Sequence, residues 1–391
     1  MMPTRQIFYF EAKKRLICFV VFFSLFFLTP GSVLGEQGDS LRPRVGVDRV
    51  VGFFDAIEPV FGYGFLMSHH PSMRHLVKDQ FTSYQLNISG TTSGKQHWHH
   101  LYRFPSLGVS FYYADFAYPD VLGEVYAVMP SITLKHKIAK GFEIVNRNSL
   151  GMGYLTKWYH PTENYRNNAI GRGLNIALSL NIEAAWNIYG PLTLKGGLSL
   201  THFSSGAKAV PNKGLNIPAV NAGLVWMFNR KEGSNELVDP GTIAENHSQT
   251  YIIPSFGFKR VFPVGGPLYA EYGIQIAHVF SINEKIRLGP AVDLFYSSSD
   301  KAVLENRDDK QYSFGELAKI GAGISYEQVY NRLTFVVQAG YYLKTERTDV
   351  IPMYNRAGFR YQLTDHLLLN YSLKTHLFKA DYVEYGLGWK F

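Results

Sequence analysis

One apolar row of the chain, Leu192, Leu194, Gly196, Leu198 and Leu200, runs at constant parity into His202 and Ser204. An imidazole and a hydroxyl two residues apart are the groups that general-base-assisted nucleophilic attack on an acyl carbon uses. A strand also carries such residues where it leaves a bilayer and meets water, so type and spacing alone leave both readings open. Other chemistries find less. The single cysteine, Cys18, lies in an N-terminal apolar stretch that is expected to be removed, which excludes disulfides, thiolate metal sites and cysteine catalysis from the mature chain. His69-His70 and His97, His99, His100 have no carboxylate at a fixed strand spacing and read as loop histidines, so no metal is assigned. No GxSxG elbow in a strand-turn-helix context is visible, and the glycines fall in strand patterns; soluble hydrolase and phosphate-loop readings gain no support.

The elements that must position His202 and Ser204 are strands. With 391 residues, 46% hydrophobic and 15% aromatic, the chain is too apolar for disorder. A mean hydropathy of −0.09, with no long apolar run beyond the N-terminus, excludes a bundle of spanning helices. Leu16–Leu28, preceded by Lys13, Lys14 and Arg15, reads as a signal peptide with cleavage near Gly35, so the protein is expected to be exported. Removing Arg5, Lys13, Lys14, Arg15 and Glu11 lowers the formal charge from +8 by three, to +5, too mild an excess to suggest a nucleic-acid partner.

From Leu174 to Trp186, Leu174, Ile176, Leu178, Leu180, Ile182, Ala184 and Trp186 alternate with mostly polar residues, and Leu268, Ala270, Tyr272, Ile274, Ile276 behave alike. Strands this long suit an all-β, antiparallel transmembrane barrel better than a soluble sandwich. The pattern predicts about 16 strands: 59–68, 80–91, 105–116, 124–138, 141–156, 173–189, 191–204, 216–229, 249–261, 267–281, 285–298, 312–329, 332–345, 348–363, 366–377 and 381–391. Short turns such as Tyr189-Gly190-Pro191, Ser281-Ile282-Asn283 and Tyr330-Asn331 alternate with longer polar connections, Tyr159–Arg172 and Ser298–Lys310, as expected of periplasmic turns and outer loops. The even count returns both ends to the periplasm. The ending Val383, Tyr385, Leu387, Trp389, Phe391 resembles an outer-membrane assembly signal. Val220–Phe228 matches Val383–Phe391 at five of nine positions, and a charged connection separates the halves. The organisation read from this is 1–35 signal peptide, 36–58 periplasmic segment, 59–229 first barrel half, 230–248 linker and 249–391 second half. Two fused eight-strand units form either one wide barrel or two narrow ones; the rarity of two barrels in one chain favours one.

The leucine row faces lipid in this barrel, so His202 and Ser204 point at lipid too, and an odd strand ends outside. Both groups are therefore expected at the outer-leaflet interface. On the returning strand Pro218, Val220, Ala222, Leu224, Trp226 and Phe228 form the lipid row, and Asn216 shares their parity. His202-Phe203-Ser204 followed by Pro211-Asn212-Lys213-Gly214 resembles the lipid A 3-O-deacylase (PagL) family, mainly over residues 141–229. Trp98-x-x-x-Tyr102-x-x-Pro105-x-x-Gly108 and Leu198–Ser204 resemble the longer acyloxyacyl hydrolase-like barrels of bacterial outer membranes.

The resemblance implies a Ser204 nucleophile with His202 as its base, cleaving an acyl ester of lipid A. The family commonly has Asn directly after the serine as an oxyanion donor, where this chain has Ser205, and an acid to orient the histidine, where it has Asn216. An asparagine carbonyl accepts from imidazole and fixes its tautomer without supplying charge. Ser205 with amides around Gly206 replaces the oxyanion donor. No cofactor is needed; the partners are lipid A or lipopolysaccharide, the outer membrane of the bacterial cell and, as an open expectation, a second copy in a homodimer. The Trp98 segment reads as architectural. His376 and Glu384 are expected to face the lumen, which argues against a second site. The competing class is a non-enzymatic barrel, channel or structural, with a degenerate site.

Overall fold

The computed structural model describes residues 54–228, 248–377 and 379–391. The expected signal peptide, the segment through residue 53 and the linker through residue 247 lie outside the described residues. Among the described residues, sixteen antiparallel strands close into two barrels of eight, each a simple meander. The first contains β1 (Ala56–Phe65), β2 (Gln80–Thr91), β3 (Ser106–Asp115), β4 (Glu124–Ala139), β5 (Phe142–Leu155), β6 (Leu174–Tyr189), β7 (Leu192–Ser204) and β8 (Leu215–Met227). The second contains β9 (Gln249–Lys259), β10 (Tyr269–Ser281), β11 (Ile286–Ser297), β12 (Lys319–Tyr330), β13 (Leu333–Lys344), β14 (Met353–Gln362), β15 (Leu367–His376) and β16 (Lys379–Lys390).

The expectation of one wide barrel is corrected by the seams. β8 pairs with β1, from Ala56↔Met227 to Gly64↔Ala219, and β16 pairs with β9, from Val383↔Phe258 to Lys390↔Tyr251. Eight strands leave an interior just wide enough for inward side chains to fill, and both interiors are filled. In the first barrel Arg147 pairs with Glu58 and lies 3.3 Å from Glu183, and Lys195 lies 3.2 Å from Glu58. The other end of that lumen is an apolar cluster including Leu66, Met73, Phe116, Leu155, Ile170 and Phe203. In the second barrel Arg356 pairs with Glu384 and, at 2.9 Å, with Asp293, while Arg360 pairs with Glu327. Each network sets acids against bases within its own cylinder, which is what lets charges remain there.

The outward faces carry the alternating apolar rows: Phe61, Tyr63 and Phe65 on β1, Leu194 and Leu198 on β7, and Val220, Leu224 and Trp226 on β8 are all exposed. The β4–β5, β6–β7, β10–β11, β12–β13 and β14–β15 connections are short. Gly141 in the β4–β5 turn and Asn331 in the β12–β13 turn adopt positive φ, +77° and +56°. The alternation predicts no helices, yet the connections hold short ones. α1 (His97–Leu101) joins β2 to β3. α2 (Ser298–Asp308) replaces the irregular loop read at 298–310, and α3 (Phe314–Leu317) occupies the start of the strand read at 312–329. Both starts are capped by serine: Ser297 Oγ accepts from the Asp300 N–H, and Ser313 forms a capping box with Glu316.

Candidate active site

Near its end, β7 places Phe203 inward, where it is fully buried against Tyr112 at a ring separation of 6.0 Å. Gly153 makes room for that ring, since a Cβ there would sit 2.7 Å from Phe203 Cε1. Anchoring Phe203 inside gives its neighbours His202 and Ser204 the outward parity of Leu194 and Leu198, the latter 64% exposed, although His202 is half-buried and Ser204 buried. Both residues lie at the strand end remote from the Gly190-Pro191 turn, the end at which β1 joins β2 and β7 joins β8.

His202 pairs directly with Asn216 across the β7–β8 ladder. Its Nδ1–H donates to Asn216 Oδ1 at 2.6 Å, which leaves Nε2 as the ring nitrogen for proton transfer. The Asn216 amide donates in turn to Nδ1 of His69 at 3.0 Å, and His69 Nε2–H donates to the Lys213 carbonyl at 2.9 Å. Ser204 occupies the position two residues beyond His202; among the described residues no hydrogen bond joins the two. Catalytic hydrogen bonds of this kind often tighten only when substrate binds.

The loop from Ser205 to Gly214 is held from several sides. The Ser205 N–H donates to Asn212 Oδ1 at 2.9 Å, so that main-chain amide is committed to the loop. Gly206, the next residue, has φ +60°. Lys213 N–H and Gly214 N–H both donate to the Ala169 carbonyl, at 2.9 and 3.2 Å, and Asn212 bridges to Ile170. Lys213 Nζ donates to Ser72 Oγ at 2.8 Å, and burial pushes that ammonium's pKa down. Gly214, φ +76°, lies edge-on to the imidazole: a Cβ would fall 2.7 Å from His202 Cε1 and 3.0 Å from the Phe203 carbonyl. The Pro211–Gly214 segment thus seats the histidine, and glycine is the residue that fits.

His69 and Gly214 are the two neighbours that sequence reasoning did not assign. β1 presents odd-numbered residues outward, so His69 continues the outward parity of Phe61, Tyr63 and Phe65. Reaching Asn216 requires β1 to lie beside β8, where Met67 N–H donates to the Asn216 carbonyl at 2.9 Å. The other histidines are elsewhere. His97, His99 and His100 belong to α1, with Trp98 against His99 and Tyr102 fully buried at its end. Glu384 is buried on Arg356 and Ser372, and His376 Nε2 lies 3.1 Å from Asp381. Among the described residues no group of three His, Cys, Asp or Glu is placed to hold a metal ion.

Residues 82–225 match the family model described as lipid A 3-O-deacylase (PagL), and residues 246–391 match that of the acyloxyacyl hydrolase C-terminal domain. Neisserial surface protein A is similar at 10% identity over 44% of this chain and 96% of that one, with a TM-score of 0.30. The outer membrane enzyme PagL is similar at 10% identity over 42% of this chain and 97% of that one, TM-score 0.30. The monoaromatic hydrocarbon channel TodX, as a deletion mutant, is similar at 8% identity over 86% and 88%, TM-score 0.17. No curated protein matches the chain.

Proposed function

By its two matched segments the chain belongs to the lipid A 3-O-deacylase (PagL) and acyloxyacyl hydrolase-like barrel family, and from that premise we propose that it is an outer-membrane hydrolase removing an acyl chain from lipid A. His202 takes the Ser204 proton at Nε2 while Asn216 holds its Nδ1–H. Ser204 Oγ attacks the ester carbonyl, and the collapsing intermediate receives the proton back at the leaving lipid oxygen. Water, deprotonated by the same nitrogen, then releases the fatty acid and restores the serine. With the Ser205 amide committed to Asn212, the oxyanion role falls to the Ser205 side chain and the Gly206 amide. Asn216 contributes orientation and no charge, so the imidazolium formed in the transition state is stabilised by a hydrogen bond alone.

The observation that carries this reading is the 2.6 Å bond from His202 Nδ1 to Asn216 Oδ1 on the lipid-facing side of the cylinder. A bilayer-facing imidazole held in one tautomer, with a hydroxyl two residues on, is arranged to work on a substrate that lies in the membrane itself. A channel through either barrel finds no such support, because both lumens are occupied by ion pairs and apolar side chains. The test is mass spectrometry of lipid A from cells producing the parent chain or Ser204→Ala, with insertion of both verified. The parent is expected to convert lipid A to a species lacking one acyl chain and Ser204→Ala to leave it intact. Identical acylation patterns overturn the proposal.

A further inference from the structure

Resting on that reading, we infer that His69 is a positioning residue: it fixes which way the Asn216 amide faces and so which nitrogen of His202 is the base. An asparagine, unlike a carboxylate, has two unlike ends, and flipping it exchanges an acceptor for a donor. If its NH2 faced His202, Nδ1 would have to accept, the ring proton would move to Nε2, and the nitrogen needed by Ser204 would carry a hydrogen. The bond between Asn216 and His202 cannot choose between these states, because both satisfy it.

The choice is made one residue further out. A main-chain carbonyl only accepts, so the 2.9 Å contact of His69 Nε2 with the Lys213 carbonyl requires hydrogen on Nε2. His69 Nδ1 also faces the Met67 carbonyl, but at 3.4 Å against the 2.9 Å of the Nε2 contact, so the ring hydrogen stays on Nε2 and Nδ1 keeps the lone pair that accepts from the Asn216 NH2 at 3.0 Å. The amide oxygen is left facing His202, whose Nδ1–H it accepts at 2.6 Å, and His202 Nε2 carries the lone pair. The chain of polarity runs from the Lys213 carbonyl through two imidazoles and an amide to the atom that deprotonates Ser204. His69 lies outside the segment matched by the deacylase model, and its place here depends on closure of β1 against β8.

The test is a double-mutant cycle on the purified full chain, restricted to variants that retain the heat-modifiable mobility of a folded barrel. A long-chain alkyl fluorophosphonate reports the reactivity of Ser204, and release of fatty acid from lipid A micelles reports turnover. His69→Ala is expected to slow labelling about five- to tenfold, the effect of losing one neutral hydrogen bond that biases a two-state group. His69→Gln, whose amide can accept from Asn216 and donate to Lys213, should recover most of the rate. In an Asn216→Asp background, where the two ends of the group are alike, His69→Ala should change the rate less than about twofold.

Equal losses in the parent and Asn216→Asp backgrounds would make His69 a mere loop support and overturn the inference, as would no loss in the parent. Those outcomes leave the parent's Ser204 labelled and the hydrolase reading standing. A parent chain whose Ser204 takes no label overturns the serine-histidine reading and the inference with it. Labelling that depends on His69 without fatty acid release upholds the inference and removes only lipid A as substrate.

Discussion

Gly214→Ala isolates how far the imidazole's seat controls the reaction. The added Cβ would meet His202 Cε1 at 2.7 Å, whereas apolar carbons rest at about 3.5–4.0 Å, so the ring must retreat by about 1 Å. The Phe203 carbonyl, 3.0 Å from the same Cβ, blocks relief in its direction, and Phe203 itself is fixed in the lumen. A misplacement of about 1 Å costs about a hundredfold in rate, or about 2.7 kcal/mol of transition-state stabilisation. Alanine at φ +76° adds a backbone cost of about 1–2 kcal/mol, which must be separated from the clash. Gly141→Ala supplies the control: Gly141 has φ +77°, but no atom lies closer than 4.0 Å to its Cβ position, and it sits in the β4–β5 turn. Fatty acid release from lipid A micelles by the two folded variants is the assay. Gly214→Ala should lose about two orders of magnitude and Gly141→Ala should stay within about twofold of the parent. A Gly214→Ala protein within about threefold of the parent would refute the claim that this segment seats His202.

Asn216→Ala removes a hydrogen bond that strengthens as His202 becomes charged, worth about 1.5–3 kcal/mol, so the turnover number should fall about 10- to 150-fold while the folded fraction in SDS gels stays unchanged. Arg147→Met leaves Lys195 as the one cation against the two buried carboxylates of Glu58 and Glu183, one charge short, and should destabilise that barrel by about 3–5 kcal/mol, read as a lower urea midpoint in lipid vesicles. Burial and the neighbouring His100 lower the pKa of His99 in α1 to about 4 from an ordinary value of 6.5. The unfolded helix therefore binds the proton first, and α1 should be fully docked above about pH 6.5 and loosen as pH falls toward about 4. Trp98, whose ring lies 4.5 Å from that of His99, reports this by fluorescence in a chain whose other tryptophans are Phe, and His99→Gln should flatten the profile.

Parity was legible because it needs only local alternation. The row from Leu192 to Leu200 faces out in the structure, and His202 and Asn216 meet across β7 and β8 as their shared parity implied. Closure was not legible. Strand count and repeat leave sixteen strands in one ring or two, and the decision rests on whether each set of eight can neutralise its own buried charges, a property of side chains far apart in sequence such as Glu58, Arg147 and Lys195. His69 went unassigned for the same reason, since it neighbours Asn216 only if β1 pairs with β8. The helices had local signals that alternation overrode: Ser297 and Asp300 open α2 with an N-cap, and Ser313-x-x-Glu316 is a capping box at the start of α3. Gly214 was visible as part of a motif, but its role depends on a 2.7 Å approach to another strand's side chain that no spacing encodes.

The central claim is that Ser204, on the lipid side of the cylinder, is the nucleophile activated by His202. Peptide mass mapping after treatment of the purified parent with a long-chain alkyl phosphonate tests it at the atom concerned. A single stoichiometric adduct on Ser204, lost in His202→Gln, is the expected result; an adduct on another serine, or one on Ser204 that forms equally fast without His202, contradicts it.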